Sequence, residues 1–371
     1  MINSYKCVLS LLGNYLKEGN ELLISDNLDE VIDLANKLSV SPIISYVLNK
    51  NGYKGYEVPA FNSYREGELQ NNKKEELSKL LDKNNIEYMF IKGTTIRKYY
   101  RDPYLRFGCD IDVVVKEKDF KKVIDIFNKE GYKQIEDFKN ERCFVTETGI
   151  LIDIHMVFIE NGEYINDYLL NRFNNKHELD IDDEYLLLIA HSAKHFNHGT
   201  MDLRVFSDMF FMKDLCKNRK NIEELLKMDY LLNYEKLLLN YLDMIIGKNN
   251  GDEMTLILDD FIEFKTHNIG DNNFFISKVI KGNLDADNER NGVLTYIKNR
   301  IFIPKSTLYD MFPNLKKHKY LLPFYYVYRV FLRLGQNGFK YIKEEVNNSQ
   351  SLDNDRLNKY KKLYKKTGIY H

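Results

Sequence analysis

With 371 residues, 44% hydrophobic, 29% charged and a net charge of −1, the chain has a globular composition and enough length for one large domain or two to three smaller ones. No run approaches the roughly 18 uncharged apolar residues of a membrane span, and the nearest, 320–334, is interrupted by Arg329 and Arg333. Met1 to Leu12 lacks the basic, apolar and small-residue pattern of a signal peptide, and Cys7, Cys109, Cys143 and Cys216 lack C-x-x-C spacing. Neither a zinc site nor a disulfide framework is therefore expected, and a reducing cytoplasm is the expected home.

In chain order, apolar residues at helical spacing predict helices over 4–16 and 28–38, with Pro42 and Pro59 punctuating the segment from there to residue 60. A polar amphipathic helix is expected over 61–83, a strand over 86–91, a short helix over 94–100 and a loop over 101–108. A strand at 109–115 precedes a helix at 119–130, closed by Gly131 at its favoured C′ position, and two strands at 142–147 and 150–159 come next. Beyond residue 160 the pattern is helical: 164–171, 183–196, 203–216, 231–246, 254–263, 292–303 and 323–346. The expected fold class is α+β: a small mixed-sheet core with flanking helices, N-terminal helices and a large C-terminal helical region. The expected division is 1–60 (helical segment), 61–160 (α/β core) and 161–371 (helical domain).

Of four D-x-D pairs, Asp180/Asp182, Asp285/Asp287 and Asp353/Asp355 lie among polar residues and read as loops or helix caps. Asp110 and Asp112 instead alternate within "CDIDVVV". Alternation along a strand sends both carboxylates to one face, where they repel unless a cation bridges them; a hard divalent metal is the usual solution. A third acid, Asp153, sits at the centre of the apolar run "GILIDIHMVF". If its strand pairs beside the first, the three acids can hold two Mg²⁺ ions about 4 Å apart, one activating a hydroxyl nucleophile and one bridging triphosphate oxygens.

Lys92-Gly93-Thr94-Thr95 lies at a strand-to-helix junction. Gly93 permits close approach of a ligand to backbone, Thr94 and Thr95 cap the helix or bond phosphate, and Lys92 supplies charge. Arg106 is placed to reach a triphosphate or to form an ion pair.

These residues together resemble the signature of the DNA polymerase beta-type nucleotidyltransferase superfamily. The run "IKGTTIRKYY…YLRFGCDIDVVV…KVIDIFNKEGYK…LIDIHMVF" is more specifically similar to a bacterial group of uncharacterised nucleotidyltransferase-like proteins. The resemblance extends more weakly through 186–212, covers about residues 20–270 and leaves 280–371 unassigned. It implies transfer of a nucleoside monophosphate from an NTP such as ATP, using Mg²⁺ or a substituting Mn²⁺, to a hydroxyl acceptor: a small molecule, a tRNA or a protein. Asp110 and Asp112 would bind both metals, Asp153 the catalytic one, and Gly93 and Thr94 the β- and γ-phosphates. The chain departs from the superfamily in having Gly93-Thr94 for Gly-Gly or Gly-Ser, and a longer spacer from Thr94 to Asp110.

His191 and His195 share one helical face, with Arg204 and Asp208 on a following helix. No adjacent His-Asp pair supports a phosphohydrolase. This face is expected either to close over the nucleotide or to bond histidines to Asp208 as structural glue. His155, on the same face as Asp153, orients that acid or the acceptor, or is structural. From Pro313 onward there are 13 Lys and Arg against 4 Asp and Glu, +9, leaving 41 against 51, −10, before it. "YLLPFYYVYRVFLRL" and "NKYKKLYKK" mix aromatics with cations, as suits single-stranded nucleic acid, a membrane surface or a core face. The competing reading is thus a catalytically silent nucleotide- or nucleic-acid-binding module with a basic tail.

Overall fold

The computed structural model describes residues 2–108, 110–160 and 162–267, and beyond them 280, 308–309, 312, 315, 318–333 and 354–369. Cys109, the helix expected at 292–303 and the end of that expected at 323–346 lie outside the described residues. Two compact units are present, one of residues 1–196 and 201–266, the other of 197–200 and 267–371.

The first unit opens with α1 (Ser4–Leu16), α2 (Leu28–Lys37), α3 (Ser41–Lys50) and α4 (Val58–Lys83). Asn3 and Asn27 cap α1 and α2 by accepting from Lys6 and Glu30 N–H groups. Pro42 and Pro59 fall in the first turns of α3 and α4, where a missing N–H costs nothing, so both prolines start helices. Then come β1 (Tyr88–Ile91), the one-turn α5 (Gly93–Ile96), β2 (Asp110–Val115), α6 (Glu117–Lys129), β3 (Lys133–Asp137), β4 (Glu141–Val145) and β5 (Leu151–His155). Gly131, at φ +83°, follows α6 in the left-handed region.

The sheet is mixed, in the order β1-β2-β5-β4-β3, with β2 and β5 parallel and every other pair antiparallel. Its apolar face follows from alternation. Ile111, Val113 and Val115 of β2, Ile152 and Ile154 of β5 and Phe144 of β4 pack with Leu77 and Leu81 of α4 and Phe120, Val123 and Phe127 of α6. Each such side chain contributes on the order of 1.5–3 kcal/mol of burial. Strand β3 escaped the sequence reading because all five of its residues are exposed and show no apolar alternation.

The helices α7 (Glu163–Leu170), α8 (Ile181–Asn197), α9 (Arg204–Met212), α10 (Arg219–Met228), α11 (Leu232–Ile245) and α12 (Glu253–His267) follow. Asp180 caps α8 through the Asp183 N–H, while Asp182 accepts from the N–H groups of Lys217 and Asn218. In the second unit, α13 (Leu322–Arg333) exposes Phe324 and Tyr328, whereas α14 (Asn354–Thr367) buries Tyr360, Leu363 and Tyr364. The two aromatic segments therefore differ: the second is a core face, and the first leaves rings in solvent. Among the described residues no helix is long and apolar enough to cross a membrane.

Candidate active site

The sheet's other face carries the polar residues, and register alone assembles them. Asp112 lies opposite Asp153 across the parallel β2–β5 pair, and Asp153 opposite Cys143 across β5–β4. One step along, His155 pairs with Glu141. Asp110, two residues before Asp112, projects to the same side. Among the described residues two donor groups lie within 4.8 Å internally: Asp112, Asp153 and His155, and Glu141, Cys143 and Asp153. Asp110 belongs to neither group, although its carboxyl is pushed up first by the charge of Asp112 and then by burial.

Three cations meet the acids. Lys92 Nζ lies 2.5 Å from Asp112 Oδ1, and His155 Nε2 lies 2.8 Å from the same oxygen. Burial alone would raise the Asp112 carboxyl; Lys92 and His155 outweigh it and hold the group well below the ordinary carboxylate range. His155 Nδ1 faces Glu141 Oε2 at 3.3 Å, and this bond is the chief reason that Glu141 is lowered to about 2. Arg204, on α9, draws the Asp110 carboxyl down and donates to the Phe107 carbonyl at 3.1 Å. Asp153 is less well compensated: burial first, then Asp112 and Asp110, push it up to about 6 against a bond from Cys143. A buried acid held up in this way marks a site short of positive charge, and the mixture of carboxylate and imidazole donors fits a divalent cation.

Lys92 occupies an unusual backbone position, φ 56° and ψ −122°, between β1 and α5. A non-glycine residue is strained there, and the lysine ammonium lies on Asp112. Behind it, Gly93 is buried; a Cβ on it would stand 3.4 Å from Arg106 Nη1 and 3.7 Å from the Asp110 carbonyl. Thr94 is 6% exposed, and its Oγ1 has no hydrogen-bond partner. Thr95 Oγ1 bonds the Lys92 carbonyl.

Arg106 is fixed from a distance. Its Nε and Nη2 each donate to Asp208 at 2.8 Å, Tyr100 Oη donates to the same carboxylate at 2.6 Å, and Nη1, beside Gly93, donates to the Phe107 carbonyl at 3.5 Å. Asp208 thus serves the arginine ahead of the acids. His191 and His195 stand edge to face, ring centroids 4.5 Å apart. Burial, then the nearby Lys92 charge, holds His191 well below the usual imidazole range. A cleft of about 20 Å³, room for one water, is lined by Lys92, Glu141, His155, His191 and Lys194 among others. His191 therefore borders the acid cluster, while the exposed His195 is not among that cleft's lining residues.

Sequence reasoning missed Glu141 and Cys143. Cys143 lay in the strand expected at 142–147 and Glu141 one residue before it, and only pairing with β5 aims the two at the acids.

No curated protein and no solved structure matches the chain significantly. A family model described as uncharacterised nucleotidyltransferase matches residues 25–245, which include every residue placed in this site. Because that match spans more than half of the sequence, the chain belongs to this family of uncharacterised nucleotidyltransferases.

Proposed function

We propose that the protein is a metal-dependent enzyme of the DNA polymerase beta type that moves a nucleoside monophosphate from an NTP to a hydroxyl acceptor. The acceptor oxygen gives up its proton and bonds the α-phosphorus as the bond to the β-phosphate breaks and pyrophosphate leaves. The observation that carries this reading is the register that sets Asp112 beside Asp153, with Asp110 on the same face and Gly93 at the end of the neighbouring strand. Asp112 and Asp153, with Asp110 adjacent, would hold the divalent cations, Mg²⁺ or Mn²⁺. Bound there, such ions lower the pKa of an acceptor hydroxyl and neutralise triphosphate charge.

The chain's own residues supply the rest. Lys92, the residue before Gly93 and Thr94 and paired with Asp112, would be free to bond a phosphate oxygen once an ion neutralised that acid. The orphaned Thr94 hydroxyl gains a partner on the phosphate, and Arg106 Nη1 reaches the same position while Asp208 holds the rest of the guanidinium. His155 and His191 flank the acids on the α8 side. A groove of about 720 Å³ is lined by residues of α2, α3 and α4 such as Asp29, Asp33, Ser41 and Glu66, and by Phe107, three residues before Asp110 in the chain. The basic helix α14 takes no part in this reading.

Incubation with radiolabelled NTPs, Mg²⁺ and a lysate should label an acceptor. Equal labelling by wild type and an Asp110→Ala/Asp112→Ala double variant would refute the assignment. A second reading, a silent nucleotide-binding module, is favoured by one observation: Lys92 and His155 already neutralise Asp112. Nucleotide stabilisation independent of Mg²⁺ and retained in Asp153→Ala would select it.

A further inference from the structure

The strand pair β4–β5 gives His155 a carboxylate on one ring nitrogen and the acid cluster on the other. We propose that His155 is a metal ligand oriented by Glu141, so that the site prefers a divalent transition-metal ion to Mg²⁺. The inference rests on the metal-dependent reading above and deepens it by naming the class of ion.

Three observations carry it. First, a ring nitrogen of His155 and one oxygen each of Asp112 and Asp153 lie within 4.8 Å of one another, close to the roughly 4.4 Å that is the widest separation of two donors each about 2.2 Å from one ion. Second, the two ring nitrogens have divided roles. Nδ1 faces Glu141 Oε2 at 3.3 Å and Nε2 faces the Asp112 carboxylate at 2.8 Å. With the Nδ1–H held by Glu141, an ion bound at the acids would displace the Nε2 proton now shared with Asp112 and take the lone pair it leaves. A carboxylate behind a histidine in this way fixes the tautomer and ring orientation of a metal ligand. Third, both His155 and Asp112 are buried, at 8% and 2% exposure, so the ring cannot swing into solvent to escape the ion.

The donor set then decides the ion. Mg²⁺ demands near-octahedral oxygen coordination and keeps several waters, whereas imidazole suits the borderline transition metals. Cys143 adds a soft donor at the border of the same site, since it groups with Asp153 and Glu141. Lys92, on the Asp112 oxygen that Nε2 also faces, is the group an incoming ion displaces.

The test uses the full chain freed of metal by chelation, with no nucleotide, and two probes: Co²⁺ followed by its visible d–d bands, and Mg²⁺ followed by thermal shift. Any carboxylate site holds Co²⁺ more tightly than Mg²⁺, so the comparison of variants decides. His155→Ala should weaken Co²⁺ by about 30-fold and alter its visible spectrum, while changing Mg²⁺ binding less than about 3-fold. Glu141→Gln, which keeps the side-chain shape, should weaken Co²⁺ by about 10-fold, within the 10–100-fold range of such orienting partners. It serves should His155→Ala fail to fold. Co²⁺ affinity and spectrum unchanged in both variants, or Mg²⁺ lost in step with Co²⁺, would overturn the proposal. Label transfer that persists with Mg²⁺ alongside either outcome would leave the nucleotidyltransferase reading standing, so the two failures are separable.

Discussion

Asp208→Ala breaks a buried ion pair near the site. The Arg106 and Asp208 side chains are 4% and 2% exposed and are joined by two 2.8 Å bonds. Two unit charges about 4 Å apart attract by about 4 kcal/mol at an effective dielectric of 20. Removing one partner of a buried pair costs about 3–5 kcal/mol, because the remaining charge stays buried without compensation. Tyr100 also loses its acceptor, worth about 1–2 kcal/mol more. The sum, about 4–7 kcal/mol, is a large part of an ordinary folding free energy of about 5–15 kcal/mol. Urea unfolding followed by far-UV circular dichroism measures it, with an unchanged m-value as the check that only stability moved. The double variant Arg106→Met/Asp208→Leu should recover most of the loss, since apolar replacement of a buried pair is often neutral. It should nevertheless bind NTP more weakly, having lost the Nη1 donor beside Gly93. A loss below about 1 kcal/mol in Asp208→Ala, or a double variant as unstable as the single one, would refute the reasoning.

Thr94→Val should leave the free protein as stable as wild type or about 1 kcal/mol more stable, because it removes a buried hydroxyl without a partner, yet should weaken NTP binding in calorimetry; Thr94→Ser should preserve binding. Lys92→Met keeps the strained backbone but takes one cation from Asp112. It should lower the melting temperature of the chelated protein, and added divalent metal should raise that temperature more than in wild type. Asp183 gives the pH dependence: burial first, then Asp180, push its carboxyl up to about 6, and the half-exposed Arg172 only partly offsets them. A folded pKa above the unfolded value of about 3.9 means that the native state binds the proton more tightly. Its contribution is therefore full below about pH 4 and is lost as pH rises through 6, by roughly 2–3 kcal/mol. Asp183→Asn should remove that slope between pH 4 and 7 in urea titrations, and an unchanged slope would refute the assignment.

Much of the fold was legible because its signals are local. The 26-residue helix α4 and the amphipathic α6 follow from spacing and composition, and β2 and β5 from apolar alternation. Where the local pattern is weak, reading failed. Helix α3 was expected only as part of a helical segment 1–60, without bounds of its own, α10 shows little more than one turn of apolar spacing in Ile222, Leu225 and Leu226, and β3 gains its strand character only from pairing with β4.

By itself the sequence determined that Asp110 and Asp112 share a face and that Asp153 is the lone acid of an apolar strand, since side-chain direction along a strand has a period of two. It also placed a glycine and a threonine where β1 meets α5. Only tertiary structure decided that β2 and β5 are neighbours in register, so that Asp112 faces Asp153, and that β4 brings Glu141 to His155. The partner of Arg106 was likewise set far along the chain, at Asp208. The physical reason is the same in each case: alternation is a property of one strand's backbone, whereas which charges compensate one another depends on distances fixed by packing and hydrogen-bonded register between segments.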